Sequence, residues 1–209
     1  MRARWTFLGG LLVVVAGSIL LYASSILHSA DIDLHFTRDV FSSLNTLDIG
    51  SSLADVREWP RWLYSTTGAR LVDSAGKALP SSAQMIARGS FVELELHNKR
   101  RGPWGHFEVL VQVEDYVPNR LLDLRILGDS QKKLTRLFSR LEWKIELIPQ
   151  ASGTWIHGAA TAHTANWRSR LFGRIAERAL MNQVFYPNLQ ELARMKTAVS
   201  RDAKMTIPF

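Results

Sequence analysis

With 209 residues, the chain has room for one domain of ordinary size and an additional segment. Its apolar fraction of 46% and charged fraction of 22% are those of a globular protein and exclude a disordered chain, while a net charge of +7 favours acidic partners, anionic lipid or nucleic acid. There is no cysteine, which excludes disulfides, thiolate metal sites and cysteine nucleophiles.

From Trp5 to Leu27 no residue is charged, and the centre reads Leu11-Leu12-Val13-Val14-Val15-Ala16. As a helix, this stretch reaches about 30 Å or slightly more, the thickness of a hydrocarbon core. Arg2 and Arg4 precede it and Asp31 and Asp33 follow it, so the positive-inside bias keeps the N-terminus cytoplasmic and exports the remainder. A cleaved signal peptide is the competing reading, with Leu27-His28-Ser29-Ala30 as its cleavage site. The apolar run is longer than the roughly 7–15 residues of a signal h-region, and a retained anchor is the better fit. The expected organisation is an anchor over 1–30, a domain over 31–197 and a tail over 198–209.

Asp31 to Arg38 alternates apolar and polar residues, as a short strand does. Asp39 to Tyr64 has helical spacing, and Gly50-Ser51 breaks it into two short helices. A weak strand over Ala69 to Val72 runs into the turn residues Asp73-Ser74-Ala75-Gly76. Beyond it the period is two. Val92, Leu94 and Leu96 alternate with Glu93 and Glu95, and Phe107, Val109, Val111 and Val113 oppose Glu108, Gln112 and Glu114. Leu122, Leu124 and Ile126 alternate with Asp123 and Arg125; Leu141, Trp143, Ile145 and Leu147 alternate with Glu142, Lys144 and Glu146. Such repetition predicts an antiparallel meander with one face wet and one buried. Pro118-Asn119 and Gln150 to Gly153 supply its short turns. Arg168 to Thr197 returns to helical spacing through Leu171, Phe172, Ile175, Val184, Phe185, Leu189 and Leu192, with Pro187 expected to kink it or start a new turn. The expected fold class is α+β: a curved antiparallel sheet of about seven strands, two short helices, and a long C-terminal helix across the concave face.

This order of elements resembles the START-like helix-grip fold of the SRPBCC superfamily, which includes polyketide cyclase/dehydrase-like and Bet v 1-like proteins. Arg57-Glu58-Trp59-Pro60-Arg61-Trp62 resembles the tryptophan-rich stretch that closes the first helical pair there. Gly153-Thr154-Trp155-Ile156 resembles the turn that opens the last strand, and Met181-Asn182-Gln183 through Asn188-Leu189-Gln190-Glu191-Leu192 resembles the C-terminal helix. The resemblance covers about residues 31–197. Asp129 to Arg136 departs from it, being longer and more basic than a link between adjacent strands.

The resemblance implies a cavity between sheet and helix that holds an apolar small molecule or lipid. Its expected lining is Val92, Leu94 and Leu96; Phe107, Val109, Val111 and Val113; Leu124 and Ile126; Trp143 and Ile145; and Phe172 and Ile175 on the helix. Read without the resemblance, the same alternation describes ordinary packed core. His157 is a candidate polar contact for a ligand head group or a general base, although the alternate residues Ile156, Gly158 and Ala160 leave the inward face of that strand open.

No phosphate-binding loop, His-Glu-x-x-His helix or Gly-x-Ser-x-Gly elbow is present, so no catalytic residue, metal or cofactor is assigned. Lys99, Arg100, Arg101 and Trp104, at a hairpin tip, suit an anionic bilayer surface; a solvated hairpin is the plainer reading. An exported domain is badly placed to meet nucleic acid. Three functions follow: membrane-anchored binding, transport or sensing of a hydrophobic ligand; a cyclase or dehydratase acting on a polyketide-like substrate; or an interaction domain without a cavity.

Overall fold

A computed structural model of the chain describes residues 33–64, 66–80, 82–97, 106–164, 182 and 185–195. The expected anchor, the hairpin tip with Lys99, Arg100, Arg101 and Trp104, and Phe172 and Ile175 lie outside these residues. Among the described residues, no helix is long and apolar enough to cross a membrane.

The elements run β1 (Asp33–Ser42), α1 (Thr46–Ala54), a 3-10 turn (Val56–Glu58), α2 (Trp59–Trp62), β2 (Thr66–Val72), β3 (Phe91–His97), β4 (His106–Val117), β5 (Leu121–Asp129), α3 (Lys133–Leu137), β6 (Phe138–Gln150), β7 (Gly153–Thr164) and α4 (Tyr186–Arg194). All seven strands form one antiparallel sheet in the order β1-β7-β6-β5-β4-β3-β2. The meander from β2 to β7 is therefore sequential, and β1 joins it from the far side against β7.

Alternation assigns the two faces. Val92 and Leu94 of β3, Val109, Val111 and Val113 of β4, Leu122 and Leu124 of β5, and Ile145 and Leu147 of β6 are buried. The intervening charged residues lie on the other face, where Arg125 pairs with Glu114, Arg140 with Glu142 and Lys144 with Glu146. The strands extend beyond the alternating cores read from sequence, and β1 continues to Ser42 through residues given above to a helix.

Gly50 corrects the expectation of a helix break. It sits buried inside α1, where a Cβ would fall 2.7 Å from the Asn119 Cα and collide with the Asn119 side chain. The glycine allows the helix to approach the β4–β5 turn closely. That turn places Asn119 in the left-handed region at φ 60°, which asparagine tolerates well. Asn45 begins α1 by accepting a hydrogen bond from the Asp48 amide, and Asp55 accepts one from the Arg57 amide at the 3-10 turn.

The basic segment after β5 folds into the short helix α3 before β6 begins. The Asp129 carboxylate accepts hydrogen bonds from the Leu134 and Thr135 amides at the start of α3, at 3.0 and 3.2 Å. A register shift between Phe138 and Arg140 then re-aligns β6 with β7.

In the described part of the C-terminal segment, Pro187 lies in the first turn of α4, where a missing amide hydrogen costs nothing. The helix presents Leu189 and Leu192, both fully buried, to the sheet. It is tied down by polar contacts as well: the Ser42 hydroxyl donates to the Ala193 carbonyl at 2.6 Å, and the Asn188 side-chain oxygen accepts from the Tyr64 amide at 2.6 Å.

At Gly158 of β7 the helix and sheet meet flush. A Cβ there would lie 2.5 Å from Leu189 Cδ1 and 3.1 Å from Phe185 Cζ. Gly158→Val therefore forces α4 outward and destabilises the fold by about 1–3 kcal/mol, as overpacking does. Chemical denaturation with the linear extrapolation measures it; an unchanged midpoint would mean that α4 is not seated on β7.

Candidate functional site

The inner face of the sheet is the surface that the sequence analysis selects for a ligand. Val92, Leu94, Leu96, Phe107, Val109, Val111, Val113, Leu124, Ile126, Trp143 and Ile145 all contribute to the one hydrophobic cluster. Their cross-strand register follows from the pairing: Val92 opposite Val111, Leu94 opposite Val109, Leu96 opposite Phe107, and Leu124 between Val113 and Trp143. None of these inner positions is a histidine or a carboxylate.

The cover over this face is aromatic. Trp59 and Trp62 of α2 are fully buried, with ring centroids 6.0 Å apart. Trp62 lies 5.6 Å from Trp143 of β6, and Trp143 lies 5.7 Å from Phe185 just before α4. This chain of rings joins the first helical pair, the middle of the sheet and the C-terminal helix. The Trp59 indole N–H donates to the Leu53 carbonyl at 2.9 Å, closing α1 against α2. At the β1 edge, the Arg38 guanidinium stands 5.6 Å above the Tyr186 ring.

His157 falls on the opposite face, which corrects its expected place in the lining. The pairing sets it between Asp39 of β1 and Glu146 of β6, while its neighbours Ile156 and Gly158 point inward. Its Nδ1 lies 2.5 Å from Asp39 Oδ1. The parity was ambiguous because the inward residues of β7 (Thr154, Ile156, Gly158, Ala160, Ala162 and Thr164) are mostly small, as close approach by α4 demands. His163 pairs in the same way with Asp33, at 2.5 Å, and His35 lies 3.3 Å from Thr161. These histidines line the outer surface of β1 and β7 and do not meet the aromatic cluster. His97 and His106 are cross-strand partners at the loop end of the β3–β4 hairpin, with ring centroids 6.2 Å apart. Among the described residues, no group of three histidines, cysteines or carboxylates is placed to hold a metal ion.

Two outer-face features were not singled out in the sequence. Phe41, Trp155 and Ile148 are exposed and lie side by side across β1, β7 and β6, with the Phe41 and Trp155 rings edge-to-face at 5.3 Å. Beside them, a groove of about 260 Å³ is lined by Val117, Arg120, Leu121, Glu146, Leu147 and Ile148. Their period-two pattern continues that of the strands, so the only signal was an apolar residue where a polar one belongs.

The second is Asp123, an outward residue of β5 flanked by Lys144 across the strand pair and by Asp115 on β4. Burial raises its carboxyl above the usual range, and the neighbouring Glu114 and Glu142 raise it further. On the same face, the hydrogen bond from Lys144 holds Glu146 below its ordinary value. A raised carboxyl pKa means that the folded state takes up a proton first, so Asp123 costs stability at pH values above its unfolded-state pKa. Asp123→Asn should therefore raise the melting temperature at neutral pH, with the gain shrinking toward about pH 3, where the carboxyl is protonated in both states. Equal destabilisation at both pH values would contradict this reading.

No protein-family model and no curated protein matches the sequence. Solved structures do match. The di-domain ARO/CYC StfQ from the steffimycin biosynthetic pathway is similar at a TM-score of 0.60 and 12% identity; the match covers 82% of this chain and 53% of that one, about half its length. A norcoclaurine synthase point mutant from Thalictrum flavum is similar at a TM-score of 0.56 and 11% identity, over 85% of this chain and 99% of that one. The Nitrosomonas europaea protein NE0264 gives 0.52 and 12%, over 82% and 97%. At these identities the likeness is one of fold. The architecture, a seven-stranded antiparallel sheet with short helices packed on its inner face, is a fold similar to that of these structures.

Proposed function

We propose that the chain binds a hydrophobic small molecule or lipid on the inner face of its sheet from β3 to β6, beside the seat of α4 on β7, and does so while anchored to a membrane. The observation that carries the binding role is the chemical contrast between the two faces. The inner positions are apolar from β3 to β6, whereas the outer face holds the ion pairs and the histidine–carboxylate contacts. An apolar concave surface bounded by aromatic rings suits a greasy ligand. Among the similar folds, norcoclaurine synthase has been solved with dopamine and hydroxybenzaldehyde, which supports a small-molecule role without naming this ligand.

Binding is favoured over a cyclase or dehydratase activity by the position of the titratable groups. The His157–Asp39 and His163–Asp33 pairs, the natural acid–base candidates, face away from the aromatic cluster. A general acid or base has to come within hydrogen-bond reach of its substrate atom.

The anchoring part rests on residues 5–27 and on the geometry of the sheet end. Asp33 pairs with His163 at the same end where His97 pairs with His106. The segment before β1 and the β3–β4 link with Lys99, Arg100, Arg101 and Trp104 therefore leave the sheet from one end. A tether there would bring those cations to the bilayer surface, with the N-terminus cytoplasmic and the domain on the exported side.

Native mass spectrometry of the chain purified from membranes, with parallel lipid extraction, tests the binding role. The expected result is a co-purifying apolar mass that survives washing; protein that is empty and takes up nothing when fed lipid extracts would remove it. A separate test replaces Lys99, Arg100 and Arg101 by Glu. Adsorption of residues 31–209 to anionic vesicles should fall and lose its salt dependence. Unchanged adsorption at low salt would remove the loop's role while leaving the ligand site untouched.

A further inference from the structure

Trp59, Trp62 and Trp143 form one aromatic cluster, yet their indole N–H groups have different fates. That of Trp59 is satisfied within the fold by the Leu53 carbonyl. Those of Trp62 and Trp143 are buried and have no hydrogen-bond partner among the described residues. A buried donor without an acceptor costs about 1–3 kcal/mol. Phenylalanine would fill most of the same space without that cost, so bulk alone does not account for two tryptophans here.

The two rings are adjacent, at 5.6 Å and tilted by 58°, and they sit where α2, β6 and the approach to α4 converge. Trp62 is fully buried, whereas Trp143 is only partly so. Among the described residues their immediate neighbours on the sheet are apolar: Leu124 and Ala160 flank Trp143 across the strands, and Ile145 follows two residues on, while the inner-face cation of β1, Arg38, is engaged with the Tyr186 ring. An indole donates and cannot accept. What these two groups recognise is therefore an acceptor oxygen, and the apolar side chains that adjoin Trp143 among the described residues favour a neutral one over an anion.

We infer that the unpartnered indole N–H groups of Trp62 and Trp143 form the polar end of the ligand site and select a neutral, largely apolar molecule that carries a carbonyl-type acceptor oxygen. This rests on the proposed binding role and adds the ligand's chemical class to it. A pure hydrocarbon would fill the apolar surface but leave both donors unmet; an alcohol or ketone oxygen would meet at least one. The selection is a difference in affinity between molecules of equal apolar size, and burial of the donors makes that difference larger than it would be at a wet surface.

The test uses the full chain labelled with 15N at its seven tryptophan indoles. It is titrated with a long-chain methyl ketone and with the alkane of the same chain length. The ketone should bind about ten-fold more tightly than the alkane, the effect of one buried hydrogen bond of about 1.4 kcal/mol. It should also move two indole proton signals downfield, while the alkane moves none in that direction. Trp62→Phe and Trp143→Phe each delete one of the two moving signals, and the variant that folds should lose most of the ketone's preference. The wild-type comparison stands even where a variant does not fold. Equal binding of ketone and alkane, or ketone binding that leaves those two signals in place, overturns the assignment while sparing the binding role. Upfield indole signals that respond to neither probe would mean that the donors rest on neighbouring ring faces, which also overturns it. Failure of both probes to bind would count against the binding role and the assignment together.

Discussion

Seven strands place every second side chain on one side of the sheet, and the surface so formed is apolar over most of its area. Water cannot be left against it without forfeiting the main favourable term in folding, about 25 cal/mol for each square ångström covered. The helices answer to that requirement. The short pair α1 and α2 covers one part through Ile49, Leu53, Val56, Trp59 and Trp62, all essentially fully buried. The C-terminal helix covers the β1–β7 side through Phe185, Leu189 and Leu192, and glycine at position 158 lets it come close.

Non-directional burial does not fix where a helix sits, and here polar contacts supply the missing direction. Ser42 holds the carbonyl of Ala193 near the end of α4, Asn188 holds the Tyr64 amide after α2, and Thr154 donates to the Leu44 carbonyl between β1 and α1. Ser42, Thr154 and Asn188 are buried polar residues whose hydrogen-bonding capacity is used by exactly the junctions that need orientation. Against that pattern of satisfied buried groups, the idle indoles of Trp62 and Trp143 stand out. Among the described residues three buried side-chain polar atoms lack a hydrogen-bond partner; one, Glu93 Oε1, is ion-paired with Arg70, and the other two are these indoles, on the surface where a guest would rest.

Much of this was legible in the sequence because a wet face and a dry face impose period two on any strand that separates them. Val92 to Leu96, Phe107 to Val113 and Leu141 to Leu147 read correctly for that reason, as did the antiparallel hairpin meander they belong to, whereas the place of β1 beside β7 carries no such signal. Where the constraint weakens, so does the signal. In β7 the inward residues are small to admit α4, so alternation fades and the face of His157 could not be read. Gly50 looked like a helix breaker, because a sequence does not show that Asn119, far along the chain, will lie against it. The same limit hid the unpartnered indoles: a tryptophan's burial is predictable from its neighbours, whereas the fate of its N–H depends on which carbonyl the tertiary fold brings near. The proposed anchor is read in another way, from the length and apolarity of residues 5–27 alone, which lie outside the described residues.

The sheet thus has two candidate surfaces for an apolar guest: the inner face under the helices, and the outer strip of Phe41, Trp155 and Ile148 with its adjoining groove. The outer strip adjoins the Asp39–His157 and Lys144–Glu146 pairs and is open to water, whereas the inner face is apolar from β3 to β6 and bounded by aromatic rings. The direct discriminator is photolabelling of the chain with a diazirine-bearing aliphatic probe, followed by peptide mapping of the attached label. Label concentrated on β5 and β6 at Leu124, Ile126 and Trp143, and competed away by an unlabelled apolar molecule, is the result expected here. Label concentrated on Phe41, Trp155 and Ile148, with the inner positions unmarked, would contradict it.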